Sequence, residues 1–82
     1  MQEKKSILEW LEMYSESGLK TANRRLWKAQ ISKLESMGFE VKAKPTNRRS
    51  EYYCIIDWRN PKKDTVAMKL YEIAETVISA QS

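Results

Sequence analysis

The chain has 82 residues, of which 41% are hydrophobic and 32% are charged, and this composition is typical of a single globular domain covering residues 1–82. No apolar run approaches the roughly 20 residues of a membrane span, and the first residues lack the apolar segment of a signal peptide. We therefore expect a cytoplasmic protein that makes no membrane contact. The single cysteine excludes an internal disulfide, and the absence of histidine removes the commonest zinc ligand and general base. With no phosphate-binding glycine loop and no clustered carboxylates, we expect no enzyme, no metal and no cofactor.

Positive charge is concentrated in the middle of the chain. Residues 20–49 contain nine of the 15 basic residues and only two acidic ones, a local balance of +7, whereas the whole chain carries +4. The remaining residues hold six basic and nine acidic side chains, a balance of −3. Such an asymmetry indicates a polyanionic partner, and double-stranded DNA is the first candidate.

A first helix is predicted to begin near Ser6. Ser6 followed three residues later by Glu9 is a capping-box pattern, and Gly18 suits the left-handed conformation that ends many helices. An apolar stripe at helical spacing lies between them, formed by Ile7, Leu8, Leu11 and Tyr14. Because the opposite side is acidic, we expect this helix to face away from DNA.

A second helix is predicted from Thr21, as its N-cap, to Gly38. Its apolar side would consist of Trp27, Gln30, Ile31, Leu34 and Met37. The other side has small residues with Arg25 and Lys28, which suits insertion into a major groove. An ordinary solvated face, or a surface against which another helix packs, explains the same pattern.

Two strands are predicted next. Phe39 to Lys44 alternates apolar and polar residues, which is typical of a half-buried strand, and residues 45–50 have the composition of a turn. The apolar run from Glu51 to Trp58 indicates a strand that is at least partly covered on both faces. Its Cys54 is interpreted as a small buried hydrophobe, because the chain has no histidine to activate a thiol.

The last predicted helix follows the break at Asn60-Pro61 and is expected to be capped by Asp64. Its apolar stripe is wide, comprising Val66, Ala67, Leu70, Ile73, Ala74, Val77 and Ile78. Ordinary core packing is one interpretation of this stripe. The other is a twofold dimer, with a candidate interface formed by Leu70, Ala74, Val77 and Ile78.

This order of elements resembles the winged helix-turn-helix DNA-binding proteins, such as small phage-type or plasmid-type regulators. Leu34, Gly38 and Phe39 match the Leu-x-x-x-Gly-aromatic step by which the recognition helix of that family enters a two-stranded wing. The resemblance implies that the helix after the wing mediates dimerisation. It places Arg24, Arg25 and Lys28 on the recognition helix, and Arg48 and Arg49 at the wing tip.

The predicted fold class is therefore α+β, ordered helix-helix-strand-strand-helix and winged-helix-like. The predicted function is a small DNA-binding transcriptional regulator or architectural factor. The candidate DNA-binding residues are Thr21, Asn23, Arg24, Arg25, Lys28, Ser32, Lys42, Lys44, Asn47, Arg48 and Arg49. Two alternatives stay open. One is an inhibitor or adaptor that docks Tyr52, Tyr53 and Trp58, with the basic loop, on an acidic protein. The other is an RNA-binding module.

Overall fold

The computed structural model describes residues 6–81, which contain three helices and a three-stranded antiparallel sheet. In chain order the elements are α1 Ile7–Glu16, β1 Thr21–Trp27, α2 Lys28–Ser36, β2 Glu40–Pro45, β3 Glu51–Asp57 and α3 Val66–Gln81. The predicted α+β class is confirmed. The predicted order helix-helix-strand-strand-helix is wrong, because a strand precedes the second helix. The expectation that no signal peptide is present rests on residues 1–5, which lie outside the described residues.

The segment Thr21–Trp27, predicted as the first half of a helix, is strand β1. Its apolar positions Ala22 and Leu26 are four residues apart, a spacing that suits one face of a helix and one face of a strand equally well. Pairing decides between them, since every residue of β1 has a partner on β3. A helix here would leave that edge of β3 without backbone hydrogen bonds.

Helix α2 consequently begins at Lys28, and the predicted N-cap at Thr21 is wrong. The Gln30 side chain accepts a hydrogen bond from the backbone N–H of Trp27 at 2.9 Å, which satisfies an amide that the helix leaves free. At the other end, Gly38 has φ +94° and Phe39 donates to the carbonyl of Leu34, as the predicted glycine terminus requires.

The Ser6 cap and the glycine terminus predicted for α1 are confirmed. The Ser6 hydroxyl accepts from the backbone N–H of Glu9 at 3.2 Å, and Gly18 has φ +85° just beyond the helix. Helix α3 begins differently from its prediction. Thr65, and not Asp64, caps it, since the Met68 N–H donates to the Thr65 hydroxyl at 3.3 Å.

The sheet has the order β1-β3-β2, so β3 is the central strand and pairs with an antiparallel neighbour on each side. The predicted turn between β2 and β3 is confirmed. Thr46 organises it by accepting from the Arg48 N–H at 3.1 Å and donating to the Glu51 carbonyl at 3.0 Å.

The core lies on one face of the sheet, beneath the helices. Its fully buried side chains include Leu11 from α1, Leu34 from α2 and Trp58 after β3. The Trp58 and Phe39 rings pack edge to face, with their centroids 5.9 Å apart. Cys54 is also fully buried, and burial raises the pKa of its thiol. It is the small buried hydrophobe that the sequence indicated.

Of the four predicted dimer-interface residues, Leu70 and Ala74 are buried in the core of their own chain. Neither offers side-chain surface to a partner. Val77 is half-buried and Ile78 is exposed, so only this edge of α3 is accessible for a twofold contact, which stays a prediction.

Candidate nucleic-acid interface

One face of the sheet is uncovered by any helix within residues 6–81. Successive strand residues point to opposite faces, and residues paired across antiparallel strands point to the same face. The register therefore places a defined set of side chains opposite the core, and we call this set the open face. It consists of Thr21, Asn23, Arg25 and Trp27 on β1, Glu51, Tyr53, Ile55 and Asp57 on β3, and Glu40, Lys42 and Lys44 on β2.

The expectation was that β3 is at least partly covered on both faces, and the structure shows that the helices cover one face only. Cys54 and Ile56 are fully buried, whereas Tyr53 is 54% exposed and Ile55 is 45% exposed. The reason is that α1 and α3 pack against each other and both lie on the core side of the sheet. The two apolar residues are consequently left in solvent at the centre of the sheet.

One cross-strand row of the open face has an aromatic ring between two cationic side chains. Arg25 on β1 and Lys44 on β2 flank Tyr53 on β3. The Arg25 guanidinium lies 5.4 Å from the centre of the Tyr53 ring, within the range of a cation–π contact. Trp27 is 52% exposed and lies diagonally next to Tyr53 on the same face. The open face thus has two exposed aromatic residues, and one of them, Tyr53, is in contact with a cationic side chain.

A depression of about 320 Å³ lies where this row meets the β2–β3 turn. It is lined by Arg25, Tyr53 and Glu51 from the strands together with Pro45, Thr46, Asn47 and Arg48. The turn therefore brings Arg48 to the same surface as Arg25, although the two residues are far apart in sequence.

The two ends of the open face differ in charge. Near the turn, Glu51 is the one acidic member beside the cations Arg25 and Lys44. At the opposite end, Asp57 is 8% exposed and its Oδ2 accepts from the Arg59 guanidinium at 2.7 Å. Hydrogen bonds from Arg59 lower the pKa of the Asp57 carboxyl, so this acidic end carries its own compensating cation.

The ion pair between Asp57 and Arg59 is predicted to make the stability of the fold depend on pH. A lowered folded-state pKa contributes stability above the unfolded-state value of about 4, and that contribution is lost as the pH falls through the folded-state pKa. We expect Asp57→Asn to cost about 1 kcal/mol of unfolding free energy at neutral pH, because the Arg59 side chain is 64% exposed and solvent screens the ion pair. The difference from wild type should vanish in strong acid, as measured by urea unfolding across pH.

Arg59→Gln is the matched variant, because it removes the partner and leaves the carboxyl in place. It should show a loss that also shrinks toward low pH. A loss that is constant across pH would mean that the Asp57–Arg59 pair does not stabilise the fold through the ionised carboxylate.

The predicted DNA-binding residues are divided among several surfaces. The open face holds Thr21, Asn23, Arg25, Lys42 and Lys44, and the β2–β3 turn holds Asn47, Arg48 and Arg49. Lys28 and Ser32 lie on α2.

The predicted position of Arg24 and Arg25 on a recognition helix is wrong, because both residues are on β1. They also lie on opposite faces of it. The Arg24 guanidinium is 5.0 Å from the ring centre of Trp10 on α1, on the helix side of the sheet. Lys20, another cation of the basic segment, is bound to Glu75 at 3.0 Å.

The aromatic part of the open face was only partly visible in the sequence. The alternation along β3 separates Tyr53 and Ile55 from Cys54 and Ile56, and the structure places them on opposite faces in this way. Trp27 was assigned to the apolar side of a helix and was therefore missed. For the acidic-protein alternative, Trp58 is fully buried and offers no docking surface.

No family model, no curated protein and no solved structure matches this chain. The winged-helix resemblance is therefore still a prediction. No helix in residues 6–81 has the length and apolar character needed to cross a bilayer. The same residues contain no group of three or more histidine, cysteine, aspartate or glutamate side chains placed to hold a metal ion.

Proposed function

We propose that this protein binds nucleic acid through the open face of its sheet and the adjoining β2–β3 turn. The observation that carries the proposal is the row Arg25–Tyr53–Lys44, which lies beside Arg48 and the depression at the turn. Strands are known to serve as reading elements in nucleic-acid grooves, so a sheet can take the place of a recognition helix.

Phosphate contacts would supply most of the affinity. Five cations are available on the open face and the turn, namely Arg25, Lys42, Lys44, Arg48 and Arg49. Each cation that neutralises a phosphate releases a condensed counterion, and for duplex DNA this lowers log K against log salt by about 0.9 per contact. Five contacts correspond to a slope of about −4 to −5.

The winged-helix interpretation assigns the cations different roles. In that interpretation, the β2–β3 hairpin is the wing and α2 enters the major groove. Our proposal retains the role of Arg48 and Arg49 at the hairpin. It assigns the remaining contacts to the sheet, because α2 carries only Lys28 and Lys33 as basic residues, whereas the open face has Arg25 beside two lysines.

Salt-dependent binding tests the proposal and separates the two interpretations. Fluorescence anisotropy would follow labelled duplex and single-stranded DNA from about 50 to 200 mM salt. Arg25→Gln and Lys44→Gln should each weaken binding and reduce the magnitude of the slope by about 1. Lys28→Gln on α2 tests the winged-helix interpretation and Lys69→Gln on α3 is the control, and we expect neither to change the slope.

Each contrary outcome is specific. A larger loss from Lys28→Gln than from Arg25→Gln would favour α2 as the reading element. Affinity that ignores salt would exclude phosphate contacts as its source. If no DNA or RNA binds even at low salt, the proposal fails and an acidic protein becomes the better candidate partner.

A further inference from the structure

The open face combines two features that a phosphate-binding surface alone does not need. Tyr53 and Trp27 each expose about half of their surface, at 54% and 52%, and Ile55, next to Tyr53 on the same face of β3, is 45% exposed. Water-exposed rings on a surface that also carries cations indicate a partner that offers flat apolar groups together with negative charge. Nucleic-acid bases and phosphates are such a combination.

Building on the proposed function, we propose that the open face binds single-stranded nucleic acid, with unpaired bases stacked on Tyr53 and Trp27. A duplex offers its phosphates and base edges, while the faces of its bases are already covered by their stacked neighbours. A single strand leaves the faces free, and aromatic side chains on a basic sheet can then stack on them with little dependence on sequence.

The positions of the two rings suit neighbouring bases of one strand. Arg25 and Tyr53 are paired across β1 and β3, and Trp27 is two residues beyond Arg25 on the same face. The Trp27 and Tyr53 backbones are therefore diagonal neighbours, roughly 7–8 Å apart. The backbone of Trp27 is held in place by its hydrogen bond to Gln30, so its ring is presented from a fixed strand end.

Arg25 has a second role in this arrangement. In the free protein its guanidinium lies over the Tyr53 ring at 5.4 Å, where it covers the surface on which a base would stack. An incoming base takes its place, and the guanidinium moves to the phosphate of the same strand. The turn residue Arg48, across the depression of about 320 Å³, holds a further phosphate.

Charge argues against an apolar protein as the occupant of the open face. Lys42 and Lys44 flank the apolar residues Ile55 and Tyr53 on one side, and Arg25 flanks Tyr53 on the other. An apolar partner would have to remove these cations from water without supplying counter-charges. A single strand supplies one phosphate for each base that it stacks.

The test compares nucleic acids of one length at one salt concentration. The probes are labelled oligothymidine and oligouridine of about 12 nucleotides and the matching DNA duplex. We expect the dissociation constant of either single strand to be at least about tenfold lower than that of the duplex, given the strength of base stacking on aromatic side chains. Binding should also quench the fluorescence of Trp27, and Trp27→Phe should remove that part of the signal.

Tyr53→Leu and Tyr53→Phe form the matched pair of variants. Leucine keeps an apolar side chain but has no ring, so single-strand affinity should fall about 5- to 100-fold while duplex affinity changes little. Phenylalanine keeps the ring and should retain most of the affinity. Circular dichroism and melting confirm folding, and the Trp27→Leu and Trp27→Phe pair repeats the comparison if Tyr53→Leu does not fold.

Failure of this inference can be told apart from failure of the proposed function. If the duplex binds as well as the single strands, or if leucine and phenylalanine at position 53 behave alike, base stacking is excluded. A steep salt slope in the separate anisotropy titration from about 50 to 200 mM salt would still support nucleic-acid binding by the basic residues. If none of the three probes binds at low salt, both proposals are rejected.

Discussion

Gly38→Ala is expected to destabilise the fold by about 2–5 kcal/mol, measured by urea unfolding. Gly38 has φ +94°, a conformation that an alanine side chain disfavours. An added Cβ would also lie 2.5 Å from the Thr65 hydroxyl oxygen and 2.7 Å from the Thr65 Cβ. Thr65 cannot rotate away at low cost, because its hydroxyl donates to the Lys62 carbonyl and accepts from the Met68 N–H that begins α3.

Gly18→Ala is the matched control for this prediction. Gly18 has φ +85°, so the conformational cost is similar, but an added Cβ would find its nearest neighbour, Ile78 Cγ1, at 3.5 Å. That distance is an ordinary contact, and we expect a loss of only about 1–2 kcal/mol. Equal losses at the two glycines would show that backbone conformation alone sets the cost, and that the contact with Thr65 relaxes freely.

The close contact at Gly38 explains how the chain positions one edge strand of the open face. Gly38 lies between α2 and β2, and the neighbouring Met37 carbonyl accepts from the Ala67 N–H of α3 at 3.1 Å. The start of β2 is thereby held against the start of α3. Lys42 and Lys44 belong to this strand, so the same contact helps to fix the cations of β2 beside Tyr53.

Features decided by nearby residues could be predicted from the sequence. The Ser6 cap, the glycine ends at Gly18 and Gly38, and the turn around Thr46 all depend on hydrogen bonds between residues at most five positions apart. Such signals are contained in a short window of sequence. For this reason both ends of α1, the C-terminal end of α2 and the turn of the hairpin were predicted correctly.

The identity of β1 is decided by residues that are distant in sequence. Thr21 pairs with Asp57 and Trp27 with Glu51, so the strand forms only because β3 supplies its partners. The spacing of Ala22 and Leu26 does not distinguish a strand from a helix. Arg25 was therefore selected as a contact residue for its charge, but it was assigned to the wrong element.

The candidate site depends on a further feature that periodicity does not report. The alternation of β3 separates Tyr53 and Ile55 from Cys54 and Ile56, but it does not say whether the side with Tyr53 is covered. Coverage is decided by the placement of the helices, and α1 and α3 lie together on the other side. The open face is thus a consequence of tertiary packing, whereas its charges are visible in the sequence.

Trp58→Ala is expected to cost about 3–5 kcal/mol, the loss typical of removing a fully buried large aromatic side chain. A domain of this size commonly has about 4–12 kcal/mol of total stability, so a substantial unfolded fraction should be measurable by urea titration. The indole is enclosed by the core, and its centroid lies 5.9 Å from that of the Phe39 ring. Alanine would leave the volume of the indole as a cavity.

Trp58→Phe is the informative comparison, because the Trp58 Nε1 is buried and has no hydrogen-bond partner among the described residues. Phenylalanine leaves a smaller cavity than alanine does, which lowers stability relative to wild type. It also removes the unpaired donor, which raises stability. We expect a net loss of less than about 1.5 kcal/mol. If the phenylalanine variant is as unstable as the alanine variant, the core does not close around the smaller ring, and packing of the whole indole sets the cost. Nucleic-acid affinity per folded molecule should be the same in both variants, because Trp58 is fully buried while the proposed contacts are on the open face.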